Sequence, residues 1–135
     1  MIDETLEGHV VGLGGIFFKS KEGDKTLEWY RDTLGVKTDP YSALFTFRED
    51  DAPEKRGYNL IAPFKADTDY LKPTEKDFMI NLRVRDLDGL VEKLKAKGVE
   101  FVDDVVKTPE GNFAWIIEPV NHIKIELWEQ TGDAP

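Results

Sequence analysis

The sequence predicts an α+β fold of two βαβββ modules, on three observations. Each half of the 135-residue chain reads as strand, helix, then three strands. The halves also match locally. Residues 16–36, IFFKSKEGDKTLEWYRDTLGV, lie over 80–99, INLRVRDLDGLVEKLKAKGV, with one residue of slippage. Ile16 meets Ile80, Phe18 meets Leu82, Glu22 meets Asp86, and both stretches end in Gly-Val. A repeat of roughly 60 residues is too long for a solenoid and reads as internal duplication of one unit. Finally, one such unit cannot cover both faces of its sheet, whereas two units, or four in a dimer, can.

The elements follow in order. Residues 9–20 form a strand loosened by Gly12, Gly14 and Gly15. Residues 23–35 form a helix with Asp24 as N-cap, an apolar stripe of Leu27, Tyr30 and Leu34, and Gly35 as its stop. A short extended piece follows. Residues 41–49 and 57–64 are strands joined by a charged loop, DDAPEKR. Module one covers about 8–65. The polar stretch 65–77 has no period and contains Pro73, so it reads as a linker. Module two covers about 78–130. It opens with the strand 78–84 and the helix 86–98, where Leu87, Leu90, Val91 and Leu94 recur at helical spacing. Strands at 99–106, 111–119 and 122–129 complete it.

Composition removes several function classes. Net charge is −9, spread along the chain, so nothing neutralises phosphates and no nucleic-acid partner is expected. An anionic membrane surface is disfavoured for the same reason, and no apolar run reaches spanning length. There is no cysteine, which removes disulfides, thiolate metal sites and thiol catalysis. The first residues, MIDETLEG, lack the apolar core of a secretory leader, and a cytoplasmic location is the default expectation.

The last strand holds the most informative pattern. Ile123, Ile125 and Leu127 share one face. His122, Lys124, Glu126 and Trp128 share the other, where an ordinary surface strand would carry a simple polar coat.

Order and motifs together resemble the vicinal oxygen chelate superfamily of glyoxalase I, bleomycin-resistance proteins and extradiol dioxygenases. The matching stretches are GGIFFKSKEGDKTLEWYRDTLGV, FMINLRVRDLDGLVEKLKAKGV and GNFAWIIEPVNHIKIELWEQ, which with the residues between them span about residues 10–130. The resemblance implies curled mixed sheets enclosing a cavity, and a homodimer. In metal-dependent members it also implies His, Gln and Glu ligands from the first and last strand of each module. Carried over, those positions fall at Gly15, near Ile61, at Met79 and at Glu126, and only Glu126 is a ligand type for a hard divalent metal. A catalytic metal normally needs about three protein ligands. His122 stays open as a partner of Glu126 and Glu118 in a rearranged site. Its bland reading is a surface turn residue.

In phase with those positions, the inward faces carry Phe17, Phe45, Phe47, Tyr58, Met79, Asn81, Arg83, Lys124, Glu126 and Trp128. Apolar walls with a few directed polar groups are what binding pockets present. Arg83 would hold a ligand anion, with Glu126 as acceptor or catalytic base, or the two would neutralise each other. The first function expected is a glyoxalase- or bleomycin-resistance-like protein that binds a small organic ligand without a cofactor. The alternative is a lyase, isomerase or dioxygenase using Zn, Ni, Fe or Mn at a rearranged site on Glu126. A third is a dimeric interaction module with no ligand.

Overall fold

The computed structural model describes residues 8–135; the acidic start of the chain, over which a secretory leader is not expected, lies at residues 1–7, outside them. In chain order the elements are β1 (His9–Ser20), α1 (Gly23–Leu34), β2 (Lys37–Thr38), β3 (Ala43–Glu49) and β4 (Ala52–Lys65). Then come β5 (Phe78–Arg85), α2 (Leu87–Ala96), β6 (Val106–Thr108), β7 (Gly111–Glu118) and β8 (Ile123–Gln130). Each half is thus βαβββ.

The strands form one sheet in the order β2-β3-β4-β1-β5-β8-β7-β6. β1 runs parallel to β4, and β5 parallel to β8. The antiparallel pairing of β1 with β5 joins the halves within one chain. The order is symmetric about that seam, as a duplicated unit requires. Both edges also approach one another: Ser42, beside β3, and Val106 of β6 line a common cavity. A flat sheet of this width would hold them far apart, so the sheet curls.

The outer face of the second half is packed by α2. Leu87, Leu90 and Val91 bury against Val84, Ala114 and Leu127, with Leu82, Leu94, Ile116 and Ile125 around them. The stripe read from sequence is therefore the helix's buried face. Asp86 caps α2, its side chain accepting the Gly89 N–H. α1 is more loosely held. Leu27 is buried, while Leu34 of the expected stripe is exposed; the helix contacts β2, β3 and β4. Asp24 lies within the first turn rather than at the cap; Glu22 holds the cap position and makes no side-chain cap bond. Gly35 ends the helix in the left-handed region, φ 70°.

Three expected boundaries move. The charged loop after β3 shrinks to Asp50 and Asp51, since β4 already begins at Ala52. The strand expected over 99–106 reduces to one bridge, Phe101 with Ile116, before β6. Asp103 and Asp104 interrupt it, two carboxylates that disfavour an extended apolar run. The polar stretch 65–77 is not a free linker either: Leu71 and Thr74 are buried in it.

Candidate functional site

The alternation of β8 sets the site. Lys124, Glu126 and Trp128 are all buried on the concave face, while Leu127 and Ile125 pack under α2. β5 supplies the neighbouring row: Met79, Asn81 and Arg83 are buried, with Asn81 opposite Glu126 and Arg83 opposite Trp128. Register also orders the middle of the sheet. Gly15 faces Leu60 on one side and Asn81 on the other. The row across the four central strands is therefore Leu60, Gly15, Asn81 and Glu126. Ile61 and Met79, placed in that row from sequence, each sit one or two residues out of it.

The concave face divides into two ends. At one end Arg83 is held completely. Its guanidinium lies 5.2 Å from the Phe47 ring centroid and 5.0 Å from that of Trp128. It donates to the Tyr58 carbonyl at 3.2 Å and to Glu49 Oε1 at 2.5 Å. The other Glu49 oxygen accepts from Arg85, which also pairs with Asp51. Burial works to raise the Glu49 carboxyl, but the hydrogen bonds from Arg85 and Arg83 outweigh it and hold it below the usual range. Tyr58 packs edge-on to Trp128 at 5.0 Å. Arg83, Trp128, Phe47 and Tyr58 thus fill this end as a packed plug. The partner of Arg83 is Glu49, not Glu126. Glu49 shares a face of β3 with Phe47, two residues before it, and both meet Arg83; the ladder to β4 is irregular between Arg48 and Glu49.

The other end is open. A cavity of about 720 Å³ is walled by Phe17, Leu60, Phe64, Tyr70, Phe113 and Trp115, with Glu126 at its floor. The walls are mutually packed aromatics. Phe17 stacks on Phe64 at 5.2 Å, Phe64 meets Tyr70 at 5.4 Å, and Phe113 lies parallel to Trp115 at 6.4 Å. Tyr41, at the mouth, is 79% exposed.

Glu126 is 3% exposed and accepts from three neutral donors. Asn81 Nδ2 donates to Oε1 at 2.6 Å, Trp115 Nε1 to Oε2 at 2.9 Å, and the Tyr70 hydroxyl to Oε2. Burial pushes the Tyr70 phenol up, and the adjacent carboxylate pushes it further, so it stays a donor at neutral pH. Lys124 does not reach the carboxylate. Its ammonium donates to the Tyr70 carbonyl at 2.5 Å and lies 5.0 Å from the Tyr70 ring centroid. Burial lowers the Lys124 ammonium, against the pull of Asp103 and then of Glu126.

Of the residues expected inward, Phe17 and Glu126 line this cavity, and Asn81 holds Glu126 from beneath. Met79 is fully buried behind Phe17 and Trp115. Phe45 is 39% exposed, because Leu44, its neighbour in β3, takes the position opposite Leu60. His122 is exposed in the turn before β8 with φ 59°. The residue sequence reasoning missed is Tyr70, set within polar neighbours in the presumed linker. The one signal was the apolar pair Tyr70-Leu71 inside that polar run.

The donor set does not suit a divalent metal. Metal ions need lone pairs, and the groups around Glu126 present hydrogens. The remaining positions of the row are Gly15 and Leu60, which supply none. Among the described residues, no three His, Asp or Glu side chains converge as a metal site. No helix there is long and apolar enough to cross a membrane.

No family model and no curated protein matches the sequence. Solved structures do match. A variant of methylmalonyl-CoA epimerase from Streptomyces coelicolor, in complex with 2-nitronate-propionyl-CoA, has a TM-score of 0.69 at 16% identity, over 92% of this chain and 100% of that one. Methylmalonyl-CoA epimerase from Mycobacterium tuberculosis has a TM-score of 0.61 at 19% identity, over 98% and 94%. A structure described as an NAD-dependent benzaldehyde dehydrogenase from Legionella pneumophila has 0.56 at 12%, over 87% and 98%. Identities this low establish the fold and leave activity open, as the differing names illustrate. In its paired βαβββ modules and single curled sheet, the chain has the glyoxalase fold.

Proposed function

We propose that this protein binds a small organic ligand in the aromatic cavity above Glu126, without a metal. The observation that carries the reading is the cavity itself. Its volume of about 720 Å³ lies within the roughly 300–1,000 Å³ of small-molecule sites. Apolar walls over one buried acceptor match the usual composition of such sites. The alternative lyase, isomerase or dioxygenase requires metal ligands that the row Leu60, Gly15, Asn81, Glu126 does not provide.

Two measurements test this. A neutral aromatic probe such as benzyl alcohol is expected to raise the melting temperature. Ala62→Phe, which projects a ring into the cavity from a wall position, is expected to abolish that rise. Probe binding unchanged in Ala62→Phe would place the ligand elsewhere. Separately, incubation with Zn²⁺, Ni²⁺, Fe²⁺ or Mn²⁺ and dialysis is expected to leave no stoichiometric metal. Retention that disappears in Glu126→Gln would overturn the metal-free reading.

A further inference from the structure

Among the described residues two carboxylates are buried, and they are treated oppositely. Glu49 is 7% exposed and meets two guanidinium groups, Arg83 and Arg85. Its charge is answered within the fold. Glu126 is more deeply buried, yet its three partners are an amide, an indole and a phenol, all neutral. Among the described residues, no ion pair within 4.0 Å includes Glu126. Lys124, the buried ammonium nearest along β8, is committed to the Tyr70 carbonyl.

A carboxylate offers about four lone-pair sites. Three are taken here, two on Oε2 and one on Oε1. One direction on Oε1 remains, and Glu126 borders the cavity. A buried anion with no cation in contact is costly, Lys124 acting on it only from a distance, and the cost is relieved by whatever brings a positive charge directly beside it. The walls favour the same sign. Ring faces are electronegative, and aromatic cages are a recurring means of holding alkylated ammonium groups. Phe17, Phe64, Tyr70, Phe113 and Trp115 surround the space above the carboxylate.

We infer that the ligand of this cavity is an organic cation, an apolar or aromatic body whose amine or alkylated ammonium head is directed at Glu126. The inference rests on the ligand-binding reading above and adds the charge and orientation of the ligand. An anionic ligand would set its charge against Glu126 and the ring faces. Among the described residues that border the cavity the one cation, Lys65, is exposed, outside the buried floor.

Three probes of one ring with different heads test it: benzyltrimethylammonium, benzyl alcohol and phenylacetate, titrated calorimetrically into the whole protein at physiological salt. Benzyltrimethylammonium is expected to bind about tenfold or more tighter than benzyl alcohol, with phenylacetate weakest. In Glu126→Gln the cation should lose its advantage over the alcohol. That variant can keep its hydrogen bonds. Asn81 Oδ1 has no partner, so a rotated Asn81 amide can accept from the new side-chain amide. The wild-type series stands alone should the variant fail to fold. Equal binding of cation and alcohol overturns the inference and leaves the ligand-binding reading intact. Tight cation binding that persists in Glu126→Gln also overturns it, assigning the affinity to the acidic surface. Failure of all three probes at millimolar concentration overturns both.

Discussion

At the scale of single residues, the two buried carboxylates differ in what their loss does. Glu49 neutralises Arg83, which is buried. Glu49→Ala leaves that guanidinium buried without its counter-ion, and a loss of about 3–5 kcal/mol in chemical denaturation is expected. The pairing also has a pH signature. The Glu49 and Asp51 carboxyls are held below their ordinary values in the fold. Their contribution is present above the unfolded-state value and is lost as pH falls through the folded one. Stability should therefore decline as the pH falls below the ordinary carboxylate range, with a shallower decline in Glu49→Gln. An unchanged profile in that variant would contradict the assignment. Around Glu126, Tyr70→Phe removes one of three donors and should cost about 1–2 kcal/mol. The polar row of β8 was legible from alternation alone, since period 2 assigns faces. Its partner Tyr70 was not, because it lies in a stretch without period.

Among the elements, β1 explains its own glycines. Leu13 opposes Leu82 and Gly15 opposes Asn81, so Gly14 is an extra residue in the strand. A Cβ at Gly14 would lie 1.8 Å from Asn81 Oδ1. Gly14→Ala is thus expected to displace Asn81 from Glu126 and lower the melting temperature by several degrees. Gly12→Ala, with open space around it, should have little effect on stability. Equal losses in the two variants would mean that strand flexibility, not the approach of Asn81, requires glycine. α2 was readable in full because its stripe is its buried face. α1 was readable only as a helix, since its long apolar residues Trp29 and Leu34 remain exposed and its packing depends on tertiary contacts.

For the whole molecule, duplication was visible in the aligned halves, and with it the symmetric strand order. The curl, and therefore the cavity, came only with the resemblance to a known fold. Strand patterns give faces, not the curvature of a sheet. The β1–β5 seam makes the halves one continuous sheet, so unfolding followed by tryptophan fluorescence and by backbone circular dichroism should give coincident transitions. Separated transitions would mean that the halves are independent. The central claim is that the aromatic cavity above Glu126 takes a small organic ligand. Its most direct test is a titration of benzyltrimethylammonium followed through the three tryptophan indole N–H resonances. Trp115 donates to Glu126 and lines the cavity, whereas Trp29 lies exposed on α1. The Trp115 resonance is predicted to move saturably while that of Trp29 stays in place. A stationary Trp115 resonance at saturating probe, or movement of Trp29 alone, would contradict the account.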